Sequence, residues 1–245
     1  MKQGIFEIIE NIALTDSVYK MVLRGDTSAI TASGQFVNIK LEGLYLRRPI
    51  SVCDCRDGEL TLVYKVVGKG TEQMSSMQRG EQLDVLTGLG NGYDLTLAGD
   101  APLLLGGGVG VPPMYMLCRE LIALGKKPTV ILGFNRADEI FYEDEFISLG
   151  ARVIVATADG SYGVRGFVTN AMAGVEYTHF YTCGPEPMLK AVYRATNTDG
   201  QFSFEERMGC GFGACMGCSC KTITGYKRIC KEGPVMKKEE ILWEN

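Results

Sequence analysis

The chain has 245 residues, enough for more than one core, and its 46% hydrophobic and 22% charged residues are those of an ordinary globular protein. A net charge of −4 with no basic block argues against a nucleic-acid partner, and a single histidine excludes a zinc enzyme that uses several. No apolar run reaches the length of a membrane span and the N-terminal stretch lacks the apolar centre of a signal peptide, so a cytoplasmic protein with no membrane contact is expected.

Over residues 1–98, alternating apolar and polar residues recur at 4–9, 18–24, 35–41, 50–53, 60–67 and 81–86, with Gly and Asp turns between them. Strands at this spacing predict an antiparallel barrel or sandwich, with one short helix over 71–77. Two stretches carry possible chemistry. In Arg47-Arg48-Pro49-Ile50-Ser51 an arginine at a strand start suits a phosphate, the proline fixes the turn, and alternation brings Ser51 toward the same pocket. In Gly68-Lys69-Gly70-Thr71 the glycines allow backbone to approach a phosphate, Thr71 suits the N-cap, and the helix start favours an anion. The alternatives are a surface salt bridge for Arg48 and a plain helix cap for Gly70-Thr71.

The pattern changes over residues 99–200. Pro102-Leu103-Leu104-Leu105 reads as a buried parallel strand and runs into Gly106-Gly-Gly-Val-Gly-Val-Pro-Pro113. A helix is predicted over 113–124, then strands at 129–134, 152–156 and 179–183 alternating with helices at 138–149, 166–173 and 185–195. This alternation predicts a doubly wound α/β parallel sheet, whose ligands bind beyond the C-terminal ends of the strands. Gly106, Gly108 and Gly110 allow close approach to a pyrophosphate, although Val111 stands where a strict dinucleotide fingerprint has its last glycine. The loops carrying Asp159 and Cys183-Gly184 should line the same edge. Cys53, Cys55, Cys118 and His179 read as packing residues.

Residues 201–245 hold five of the nine cysteines. Cys210, Cys215, Cys218 and Cys230 stand in the pattern C-x4-C-x2-C-x11-C, the spacing of a plant-type 2Fe–2S site. Glycines between them let the chain curl so that amide groups face the sulfurs. Cys220 is left over as a spectator, because the four-ligand pattern is complete without it. Lys237–Glu240 reads as a charged helix end, and Trp243 as either a satellite core or a partner contact.

Taken together, the Arg48–Ser51 strand, the Gly70-Thr71 helix start, the glycine loop, Cys183-Gly-Pro-Glu-Pro-Met188 and the cysteine-rich segment resemble the ferredoxin–NADP reductase superfamily. Within it, the chain is similar end to end to the electron-transfer subunits of two-subunit, NAD-linked dihydroorotate dehydrogenases. The resemblance implies an antiparallel β-barrel flavin domain (1–98), an α/β nucleotide domain (99–200) and a C-terminal iron–sulfur cluster loop (201–245). It implies FAD bound by Arg48, Pro49, Ile50, Ser51, Val63, Tyr64, Lys65, Gly70 and Thr71. NAD(H) would be bordered by Gly106, Gly108, Gly110, Asp159, Cys183 and Gly184, and a 2Fe–2S cluster held by the four cysteines. It also implies an FMN-containing partner that oxidises dihydroorotate to orotate, in a heterotetramer of two of each subunit. Ile50 stands where many members of the superfamily carry an aromatic, so the flavin stacking partner falls to Tyr64 or to a residue near Glu205. Subunits of hydrogenases and of NADH-dependent ferredoxin:NADP reductases share this layout, and a module with four cysteines on one zinc ion is the alternative from another class.

Overall fold

A computed structural model describes residues 1–243. The first six strands are β1 (Lys2–Ala13), β2 (Val18–Arg24), β3 (Phe36–Lys40), β4 (Arg48–Arg56), β5 (Glu59–Lys65) and β6 (Gln82–Leu89). They close into a barrel in the order β1-β2-β5-β4-β3-β6, every pair antiparallel. Closure leaves no strand edge unpaired. Alternate residues such as Ile8, Leu23, Val37, Ile39, Leu60 and Leu62 fill the interior, each 0% exposed. The helix α1 (Lys69–Ser76) links β5 to β6 and buries Met74 in that interior. Asn11 ties it down by donating to the carbonyls of Met74 and Met77, both at 2.9 Å.

A parallel sheet follows, built from β7 (Pro102–Gly107), β8 (Thr129–Phe134), β9 (Arg152–Thr157), β10 (Val164–Arg165), β11 (His179–Cys183) and β12 (Gly200–Ser203). Its helices are α2 (Pro112–Ala123), α3 (Glu143–Ser148), α4 (Val168–Ala171) and α5 (Glu186–Ala195). Strand parity divides them between the faces. Leu104, Val130 and Leu132 pack with α2 and α3, whereas Leu103, Leu105 and Ile131 pack with α4 and α5. The α2 helix also covers the barrel, since Val18, Cys53 and Val63 share its core and Met116 reaches the barrel interior. Asp54 of β4 seals this seam, receiving Arg56 at 2.7 Å and Arg119 at 3.0 Å.

Two predicted helices are shorter than the pattern suggests. The 138–149 helix is confined to α3 because Tyr142 adopts φ 68°, which breaks the helix and turns two aromatic rings inward. Phe141 meets Phe134 at 5.3 Å and Tyr142 meets Tyr115 at 5.3 Å. The 166–173 helix shrinks to α4, and just before it Val164 and Arg165 pair along β9. Beyond residue 200 the chain forms a hairpin of β13 (Ser219–Thr222) and β14 (Gly225–Arg228), then β15 (Val235–Lys237). β15 pairs antiparallel with β12 and completes the seven-stranded order β10-β9-β8-β7-β11-β12-β15. The predicted charged helix end is a single 3-10 turn at Lys238–Glu240. Trp243 packs edge-on against Tyr193 at 5.1 Å and Phe202 at 5.6 Å, the satellite core of its two readings. Among the described residues no helix is long and apolar enough to cross a membrane.

Candidate functional site

The arginine pair divides its work. Arg47 is engaged by the barrel, its guanidinium meeting the Asp84 carboxylate at 3.0 Å and the carbonyls of Asn38 and Asp84 at 3.2 and 3.1 Å. Arg48 has no carboxylate partner among the described residues, so the salt-bridge alternative belongs to its neighbour. Instead its guanidinium lies over the start of α1: a Cβ at Gly70 would stand 2.1 Å from its Nε. Gly70 is therefore glycine for close approach, and the arginine fork and the free N–H groups of the first helical turn converge on one spot. Charge and geometry there suit a phosphate. Arg48, Pro49, Ile50 and Ser51 are all partly buried, and Ser51 lies two residues before Cys53, on the side of the barrel that α2 covers.

Thr71 and Tyr64 behave differently from expectation. The helix starts two residues earlier than predicted, with Gly68 as N-cap. The Thr71 hydroxyl accepts from the N–H groups of Val67 at 2.9 Å and Gly68 at 3.3 Å, which pins the loop leading into α1. Tyr64 is 2% exposed, stacks on Tyr19 at 6.0 Å and donates its hydroxyl to Asn11 at 3.0 Å. Its ring is thus packed in the barrel core. Val63 faces the α2 seam and Lys65 is exposed.

The sheet brings its loops to one edge. The loop Gly108–Gly110 is a 3-10 turn, and it touches the loop after β11 backbone to backbone, since a Cβ at Gly110 would stand 2.2 Å from the Cys183 carbonyl oxygen. Pro112 and Pro113 occupy the first two positions of α2. Neither has an N–H, so two of the donors that a dinucleotide-binding helix usually offers are missing and the glycine turn carries the approach. Asp159 accepts from the Ser161 hydroxyl at 2.6 Å and its N–H at 2.9 Å, and these bonds hold the carboxyl below its ordinary value. The Ser161 hydroxyl in turn accepts from the N–H of Ala137, joining the loops after β8 and β9. Arg136 pairs with Asp138 at 2.8 Å. Burial pushes the Cys183 thiol up to about 12, so this residue borders the edge as a neutral group.

The four pattern cysteines fall into two couples. The N–H groups of Ala214 and Cys215 point at Cys210 Sγ from 3.2 and 3.4 Å, and those of Cys210 and Gly217 at Cys215 Sγ from 3.5 and 3.4 Å. Cys218 Sγ accepts from the Cys230 N–H at 3.4 Å. Desolvation opposes ionisation of Cys210, but N–H groups from Phe212, Cys215 and Ala214 outweigh it and bring the thiol down to about 6. Cys230, raised by burial and by Cys218, lies at about 12. Among the described residues no three Cys, His, Asp or Glu side chains converge as they would on one metal ion. The four N–H groups on the Cys210 and Cys215 sulfurs suit a two-iron cluster, whose sulfurs accept such bonds. The segment is also clamped: Asn91 donates to the carbonyls of Glu232 and Val235 at 3.1 and 2.8 Å and accepts from the Val235 N–H at 2.9 Å. Arg228 pairs with Glu232 and donates to the Gly213 carbonyl. Nothing in the sequence around Asn91 marks this role, which depends on residues 141 to 144 positions away.

Known proteins bear on the same segments. Residues 205–242 match the family model for the iron–sulfur cluster binding domain of dihydroorotate dehydrogenase B, and residues 104–194 match the oxidoreductase NAD-binding domain. The chain is 42% identical to the dihydroorotate dehydrogenase B (NAD(+)) electron transfer subunit of Fusobacterium nucleatum subsp. nucleatum, with 95% of each chain covered. It is 40% identical to the subunit of that name from Bacillus pumilus, with 98% of each covered. Among solved structures, that of an NADH-dependent reduced ferredoxin-NADP oxidoreductase superposes with a TM-score of 0.89 at 29% identity, over 98% of this chain and 90% of that one. Similarity that extends along almost the whole length, with a cluster-binding segment spanning the four paired cysteines, means that the chain belongs to the family of dihydroorotate dehydrogenase B (NAD(+)) electron transfer subunits.

Proposed function

We propose that this chain is the electron-transfer half of an NAD-dependent dihydroorotate dehydrogenase, linking a dihydroorotate-oxidising partner to NAD+ through a 2Fe–2S cluster and FAD, in pyrimidine biosynthesis. The cluster handles single electrons and NAD+ takes a hydride, while a flavin serves both, so the three groups are complementary. The observation that carries the reading is adjacency: β3 pairs with the Arg48–Ser51 strand and, through the Asn38 side chain, touches the Cys210 loop.

In this reading Arg48 and the start of α1 at Gly70 and Thr71 hold the FAD phosphates. Pro49, Ile50 and Ser51 line the flavin with the backbone of Val63, Tyr64 and Lys65. Gly106, Gly108, Gly110, Asp159, Cys183 and Gly184 border the nicotinamide nucleotide. The Arg136–Asp138 ion pair favours NAD over NADP, because the guanidinium already has a carboxylate and the site keeps a negative charge near a 2′-phosphate. Cys210, Cys215, Cys218 and Cys230 hold the cluster, with the Cys215 end exposed and the Cys218 and Cys230 end 2% exposed. The exposed end, rimmed by Phe212 and Met216, is the part an FMN-containing catalytic subunit would meet in a cytoplasmic heterotetramer of two of each. The similarity to a ferredoxin-NADP oxidoreductase leaves a second reading, which the lower identity of 29% against 42% makes the weaker.

Co-expression with a candidate FMN subunit tests the proposal. Dihydroorotate-dependent NAD+ reduction by the co-purified complex is expected. Cys215→Ala should abolish the iron and sulfide content and that activity while leaving NADH reduction of the bound flavin. Retention of dihydroorotate-linked activity without the cluster would sink the relay.

A further inference from the structure

Asn38 occupies a position that packing alone does not explain. It lies in β3, opposite Pro49 of β4, and is 1% exposed. Its strand neighbours Val37 and Ile39 are barrel core, both 0% exposed. Its Nδ2 reaches the carbonyl oxygen of Cys210, the first cluster ligand, at 3.4 Å. Gly211 closes over the same group: a Cβ there would stand 2.3 Å from Nδ2, and its φ of +77° favours glycine. The Oδ1 of Asn38 is buried without a hydrogen-bond partner among the described residues. A buried acceptor left unpaired is rare and costly, so a leucine of the same shape would serve packing better. The contrast with Asn91 is instructive, because that amide clamps the far end of the segment with its carbonyl and its N–H groups all engaged.

We propose that Asn38 is a positioning residue for electron transfer. By tying down the Cys210 carbonyl it fixes the first cluster ligand against the strands that carry the flavin site, and so holds the loop whose Ala214 and Cys215 N–H groups face Cys210 Sγ. This inference rests on the reading of the chain as an FAD- and cluster-holding subunit. N–H groups directed at the cluster sulfurs favour the reduced, more negative form, so releasing the loop that aims them makes reduction harder.

The test uses the full-length subunit with FAD and cluster in place, and two variants. Asn38→Leu keeps the shape and removes both polar atoms. Asn38→Asp, studied at pH 8.5, keeps the size and replaces the donor with an acceptor. Iron, sulfide and FAD contents are measured first, then the cluster's reduction potential by electron paramagnetic resonance, then the rate of cluster reduction by NADH. Both variants should retain FAD and its direct reduction by NADH. The one-electron equilibrium between flavin and cluster should move at least tenfold against the cluster, which is about 59 mV. Cluster reduction should slow at least fivefold. A merely structural asparagine would change cluster content or stability and leave the potential of the loaded fraction where it was. If one variant does not fold, the other carries the test alone. A loaded cluster whose potential ignores the substitution overturns this inference by itself. A wild-type protein that holds FAD but no iron and sulfide overturns the functional reading, and this inference with it.

Discussion

Arg48 and Gly70 work as one unit, because the guanidinium rests where a side chain at position 70 would be. Gly70→Ala should push the arginine away without touching its charge. Losing a charge-assisted contact of about 1.5–3 kcal/mol corresponds to FAD binding weaker by roughly tenfold to a hundredfold. Titration of apoprotein with FAD checks this, and wild-type affinity in Gly70→Ala would show that the arginine does not bind there. Arg48→Lys should weaken binding by roughly tenfold, since it keeps the charge and loses the planar fork. A second residue-scale expectation concerns His179, which is buried beside Gln201 at 3.2 Å. Desolvation lowers its folded value below the ordinary 6.5, outweighing the attraction of Asp199 and Asp94. The unfolded chain therefore binds the proton more readily, so this contribution is present above pH 6.5 and is lost as pH falls below it. Thermal unfolding between pH 5 and 8 should show a slope that shrinks in His179→Gln, and an unchanged slope would refute the assignment.

At the scale of elements, the seam between α2 and the barrel hangs on Asp54, whose side chain is 8% exposed and serves Arg56 and Arg119. Asp54→Ala should lower stability by about 1–3 kcal/mol, read as a lower urea midpoint at unchanged slope, because Arg119 is left partly buried without its partner. The strands 18–24, 129–134 and 179–183 end where their hydrophobic patterns do, because each is a self-contained run with one clear period. The 138–149 helix fails for a reason that no period reports: Phe141 and Tyr142 gain more by entering the core than by staying helical. β12 and β15 escape notice because they have four and three residues and acquire their identity only by pairing, β12 with β11 and β15 with β12. The cluster was legible because ligand spacing is local. The choice between Arg47 and Arg48 was not, since it is decided by Asp84 on a different strand. Asn38 and Asn91 carry no local signature at all, because their partners are distant in sequence and are backbone groups.

At the scale of the molecule, the cluster segment is anchored unevenly. Cys218 and Cys230 belong to the core shared with Phe36, Leu89 and Phe202, whereas Cys215 is exposed. In metal-free protein, Cys218→Ala should therefore cost about 1 kcal/mol or more in urea unfolding, and Cys215→Ala close to nothing. Equal effects would mean that the segment does not share the core.

The excursion that carries the cysteines leaves the sheet after β12 and returns at β15, and the Phe204 N–H bonds the Pro234 carbonyl at 2.9 Å where the two ends meet. Its ends are thus held side by side by the host whatever lies between them. Such a joint moors the redox port at the sheet edge, and the buried Cys218, Ile229 and Cys230 moor it a second time in the core. The place where one-electron traffic enters this architecture is thus set by a local joint, whereas its flavin and nucleotide sites are built across many elements.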